Sequence, residues 1–76
     1  MRSRFMEVST LRQLWSLIEK TQTNTLLQLN DTDLVERLLG QIESRKSLSL
    51  EENIILTTYI RSKSSLIRDL AEARLA

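Results

Sequence analysis

The sequence predicts an all-α protein, a small bundle of three to four helices. Three observations carry this. Proline is absent and glycine occurs once, so the turn chemistry a sheet would need is scarce. Leucines and isoleucines recur at helical rather than alternating spacing. Two stretches, Thr10 to Gln13 and Ser49 to Glu52, have the Ser/Thr-x-x-Glu/Gln form of a capping box.

A chain of 76 residues is one domain at most, and short enough that a single core is marginal without a staple. There is no cysteine, so no disulfide is available, and with no histidine either the usual zinc sites are absent. The remaining staple is association with another chain, which predicts an oligomer or a subunit of a complex. Charged residues make up 28% and the net charge is only +1. That balance suits a folded domain and lacks the basic excess of a dedicated nucleic-acid binder. No apolar run approaches the roughly 18 residues of a membrane span, and no apolar segment follows the basic Met1 to Phe5. A cytoplasmic protein is the expectation.

Residues 1–8 read as a flexible N-terminal tail and residues 9–76 as a single helical domain. Arg2 and Arg4 are too few for a nucleic-acid arm, Met6 is an alternative start, and Phe5 is free to fold back onto the bundle. The first helix is expected from Ser9 or Thr10, placing Leu11, Leu14, Trp15, Ile18, Leu26 and Leu29 on one face. It runs through, or bends at, Thr21 to Thr25, a stretch of mediocre helix formers. Gln22 falls on the apolar face and is expected at the edge of the core. Leu17 and Leu27 point away from that face, which makes them candidates for a partner contact.

The second helix, Asp31 to Ile42, is the cleanest amphipathic segment. Leu34, Val35, Leu38, Leu39 and Ile42 share an arc of roughly 140° and no apolar residue strays from it. Asp31 is the first N-cap candidate and Asn30 the alternative. Asp33 and Arg37 are spaced to pair, and Gly40 on the polar face reads as a tolerated surface glycine. Arg45 and Lys46 suit the negative end of the helix dipole.

The third helix starts at the Ser49 box and is expected to end near Arg61. Ile55, Leu56, Tyr59 and Ile60 form one broad face, while Leu50 and Ile54 lie on another side. Ser62 to Ser65 reads as a break, with Ser64 or Ser65 capping a last helix to Leu75; the alternative is one helix from Leu50 to Leu75. Leu66, Ile67, Leu70, Ala71 and Ala73 form the last apolar face. Arg74 intrudes on that face and must snorkel or pair, and Arg68 is spaced to pair with Glu72.

Catalysis is hard to stage without histidine or cysteine. The adjacent acids Glu51 and Glu52, and Asp31 and Asp33, are explained by helix N-termini. No glycine-rich phosphate loop is present. No catalytic, cofactor-binding or metal-ligating residue is assigned, no cofactor is expected, and no small-molecule substrate is evident. A helix-turn-helix made from Asp31–Ser44 and Ser49–Arg61 would lead into DNA with Glu51 and Glu52, which phosphate repels. The mixed-sign polar faces do not suit a membrane surface.

The segments LRQLWSLIEKTQ, LNDTDLVERLL and LIRDLAEARL resemble a family of short uncharacterised helical proteins of cyanobacteria. The resemblance covers nearly all of the chain after Met6. It implies a small helical cytoplasmic protein and transfers no functional residue.

Sequence reasoning therefore points to a non-catalytic protein-interaction module, self-associating (first as a homodimer) or a subunit of a larger complex. Its candidate interface is Leu50 and Ile54, with Leu17 and Leu27 in addition. The alternative is a nucleic-acid-associated regulatory protein, which a contiguous basic face would favour.

Overall fold

Helices account for most of residues 7–75, the part of the chain described by the computed structural model. They are α1 (Val8–Lys20), α2 (Thr23–Gln28), α3 (Asp31–Glu43) and α4 (Leu50–Ala73). The protein is a small all-α bundle. α4 packs against α2 and α3, and α1 packs against α3. The outline is elongated, 45 × 20 × 18 Å, and α4 is its longest element.

α1 starts at Val8, with Glu7 as an N-cap that makes no side-chain capping bond. The expected Thr10–Gln13 box does not form. Thr10 lies on the inner face one turn before Leu14, is buried, and its hydroxyl accepts a 2.9 Å hydrogen bond from Lys46 Nζ. The helical domain thus reaches back to Val8, inside the span read as tail. The suggestions about Phe5 and Met6 fall outside the described residues.

The Thr21–Thr25 stretch bends. Thr21 and Gln22 are both extended, α1 ends before them, and α2 restarts at Thr23. Gln22 is exposed, so it needs no partner in the core. The bend also corrects the reading of Leu17. A single continuous helix would phase Leu26 and Leu29 with Leu14 and push Leu17 aside. With the helix broken, Leu14, Leu17 and Ile18 set the inner face of α1, and α2 turns Leu26 inward independently.

α3 buries Leu34, Val35, Leu38 and Ile42, with Leu39 packed at the margin, as the periodicity predicts. Its N-cap is Asn30 rather than Asp31, with Asn30 Oδ1 accepting from the Asp33 N–H at 2.8 Å. Asp31 instead forms the one ion pair found among the described residues, with Arg68 at 2.6 Å. The spacing of Asp33 and Arg37, and of Arg68 and Glu72, does not produce ion pairs. A Cβ added at Gly40 would meet nothing within 4 Å.

α4 opens with the expected capping box. The Glu52 N–H donates to Ser49 Oγ at 3.1 Å and the Ser49 N–H donates to Glu52 Oε1 at 2.9 Å. The helix does not break at Ser62–Ser65 but continues for 24 residues, about 36 Å at 1.5 Å per residue. Two serines are absorbed by bonding back along the helix, Ser62 Oγ to the Tyr59 carbonyl (2.7 Å) and Ser64 Oγ to the Arg61 carbonyl (3.0 Å). Ser64 is itself buried, in the stripe Leu56, Ile60, Ser64, Ile67 and Ala71. The polar run interrupts the hydropathy of the sequence without interrupting the packed face.

Long-range polar contacts tie α4 to the rest. Trp15 Nε1 donates to the Tyr59 hydroxyl at 2.9 Å, and the two rings meet edge-on with centroids 6.4 Å apart. Arg68 donates to the Leu29 carbonyl at 2.8 Å as well as to Asp31. Arg74 donates to the carbonyls of Thr21 (2.9 Å) and Ile18 (3.1 Å), with a longer approach of 3.4 Å to that of Glu19. Arg74 therefore pairs with the end of α1.

Two outcomes are expected from these contacts. Gly40→Ala should raise stability by up to about 1 kcal/mol, because an exposed helix-interior glycine is replaced where there is room. A urea titration followed by Trp15 fluorescence measures it, and a destabilised variant would contradict the open surroundings of Gly40. Arg74→Ala should lower stability by about 1 kcal/mol and expose the C-terminal amides of α1 to hydrogen exchange. Arg74→Lys should restore little of this, since one ammonium cannot reach several carbonyls as a guanidinium fork does; full rescue by lysine would show that charge alone matters.

Candidate interaction surface

α4 carries more apolar residues than its buried stripe uses. Leu50 is 79% exposed, Ile54 56%, Leu66 45% and Leu70 46%. At 100° per residue, Leu50 and Ile54 lie on one flank of the buried stripe, and Tyr59, Leu66 and Leu70 on the opposite flank. Thr58, Ser65 and Asp69 fall between them on the outward side. α4 thus presents two apolar shoulders beside a polar ridge, one near each end, about 24 Å apart along the axis. Near the second shoulder, Lys63 Nζ lies 5.8 Å from the centre of the Tyr59 ring, a cation–π contact.

The four residues expected at an interface separate into two pairs. Leu50 and Ile54 are exposed and one turn apart at the start of α4. Leu17 is only 9% exposed and belongs to the core, and Leu27 is partly buried against the same core. Neither is a free surface residue: the bend at Thr21 re-phases α1 for Leu17, and Leu27 packs at the margin of the core beside the buried Leu26. A separate last helix would place Leu66 and Leu70 on a core face. Once α4 is continuous, its phase is fixed by Leu56 and Ile60, which leaves Ile67 and Ala71 inside and the two leucines at the margin.

The acids at the start of α4 are structural. The Ser49 backbone N–H holds the Glu52 carboxyl below its ordinary pKa; desolvation opposes this, and the Ser49 hydroxyl and the Lys46 charge add to the lowering. No group of three or more metal-ligating side chains occurs among the described residues. Nor is any helix among them long and apolar enough to cross a membrane.

A second feature lies away from α4. An open groove of about 310 Å³ runs between the α1–α2 bend and α3. Leu17 forms its floor, and Lys20, Gln22, Thr25, Arg37, Gln41 and Arg45 line it with Thr21. Arg37, Gln41 and Arg45 follow one another at four-residue intervals, while Lys20 comes from the end of α1. Sequence reasoning missed this grouping because it treated Arg45 only as part of a helix terminus. The positions come together only through the bend at Thr21.

Comparison with protein families, with curated proteins and with solved structures finds no match.

The Glu52 bond makes stability pH-dependent. A carboxyl whose folded pKa is depressed contributes stability that is present above its unfolded pKa and lost as pH falls through the folded value. Glu52→Gln should therefore show a smaller drop in urea midpoint than the parent chain between about pH 6 and about pH 3. Equal drops would remove Glu52 from the acid response.

Proposed function

We propose that this chain is a small non-catalytic helical protein-interaction module of the cytoplasm that works by self-association through α4. The observation that supports the reading is the pair of apolar shoulders left uncovered on one continuous helix. A fully buried leucine or isoleucine side chain contributes roughly 1.5–3 kcal/mol, so Leu50 and Ile54, mostly in water, with Leu66 and Leu70, nearly half exposed, leave an unused term that matters for a domain of this size. Covering them with a second copy supplies the staple that a core without disulfide or metal lacks.

The two shoulders suit twofold pairing. An isologous contact requires that one patch meet another on the partner and be met in return. Crossed antiparallel α4 helices bring the Leu50–Ile54 end of one copy toward the Leu66–Leu70 end of the other. The nucleic-acid alternative gains less from the same helix: the start of α4 still leads with Glu51 and Glu52, and its outward side carries Asp69.

Sedimentation at micromolar concentration is expected to show a dimer. Ile54→Glu, and separately the double change Leu66→Glu with Leu70→Glu, should each weaken association about tenfold or more while leaving the helical circular dichroism intact. A strict monomer would sink self-association, and a dimer indifferent to both variants would remove α4 as its surface.

A further inference from the structure

Cations gather at the groove between the α1–α2 bend and α3. Four of the nine described cations are occupied elsewhere. Lys46 bonds Thr10, Lys63 lies over Tyr59, Arg68 holds Asp31 and the Leu29 carbonyl, and Arg74 holds the end of α1. That leaves Arg12, Lys20, Arg37, Arg45 and Arg61 without a polar partner among the described residues, and three of these five line the groove. No carboxylate lines it. Asp33, one turn before Arg37, forms no ion pair with it. The remaining lining adds the amides of Gln22 and Gln41 and the hydroxyl of Thr25, so hydrogen-bond donors surround the space.

Helix-dipole compensation accounts for Arg45 at the end of α3 and for Lys20 at the end of α1. It does not account for Arg37, which lies in the middle of α3, nor for the neutral donors. The carbonyls at the end of α1, which would otherwise make this end of the groove negative, are already met by Arg74.

We infer that this groove is a binding site for a small phosphate-bearing anion carrying several charges. Two guanidinium groups supply planar forks matched to phosphate oxygens, and Lys20 supplies a point charge from the facing element. The volume lies at the lower end of ordinary ligand pockets, so it suits a compact polyphosphate or a nucleotide's phosphate chain. The site is on a different face from the α4 shoulders and does not depend on self-association.

The test titrates the full chain with inorganic pyrophosphate and follows backbone amide signals by NMR. Expected are saturable shifts confined to residues 20–25 and 37–45. Arg37→Gln combined with Arg45→Gln should weaken binding about tenfold or more, as the loss of charge-assisted hydrogen bonds implies. Arg12→Gln combined with Arg61→Gln removes the same net charge outside the groove and should leave binding unchanged. ATP in place of pyrophosphate separates the sources: tighter binding assigns a nucleotide, and equal binding assigns free polyphosphate. Absence of saturation, an equal loss in both double variants, equal binding of citrate, or binding of a DNA duplex but not of pyrophosphate would each overturn the assignment. Amide spectra of both double variants verify that the fold is kept.

Discussion

The architecture depends on how helix ends are closed in a chain almost without glycine. An α-helix leaves four carbonyls unpaired at its C-terminus, and the usual remedy is a left-handed residue just beyond it, most often glycine. Here the only glycine is inside α3, and no described residue adopts positive φ. α1 and α2 instead run straight into extended residues, Thr21 and Leu29. Their carbonyls are met by arginines of another helix, Arg74 for α1 and Arg68 for α2. The final helix thus fastens the ends of the first two while its apolar stripe forms the core.

This gives the continuity of α4 a structural consequence. If the helix ended at Ser62, Arg68 and Arg74 would have no fixed azimuth relative to Ile60, and the C-terminal carbonyls of α1 and α2 would lose their partners. The buried Ser64 keeps the packed face in phase across the polar run. The same continuity leaves Leu66 and Leu70 at the margin, because residues phased to bring Arg68 and Arg74 onto α2 and α1 cannot also turn both leucines fully inward. Fastening the ends and exposing the second shoulder are thus two results of one helical phase.

The legible parts of the sequence were those set by local chemistry. Ser49–Glu52 formed its box because both partners lie within one turn. α3 buried its predicted face because that helix has one uninterrupted period. What sequence reasoning misplaced was set by phase between segments. Leu17 was assigned outward because a bend at Thr21 was allowed but not required. Ser62–Ser65 was read as a break because hydropathy does not register a serine that bonds back to its own helix and packs. Arg68 and Arg74 were judged by their neighbours along the helix, whereas their partners lie 37 or more residues away in the chain. The exposure of Leu50 and Ile54 was legible because neither fits the arc of any core face.

The cationic groove was illegible for the same reason, and it bears on how the chain divides its surfaces. Arg37 in α3 and Arg45 two residues past its end are spaced eight apart, which is unremarkable alone. They become neighbours of Lys20 only because α1 stops where it does, and α1 stops where it does because the Thr21–Thr25 stretch favours a bend and Arg74 donates to its carbonyls. Removing Arg74 uncovers carbonyls beside the groove, so the local potential there becomes less positive even though Arg74 does not line it. Anion affinity should then fall in Arg74→Ala alongside the fraying of α1, whereas association through α4, whose shoulder residues do not include Arg74, should persist for as long as the helix holds its length.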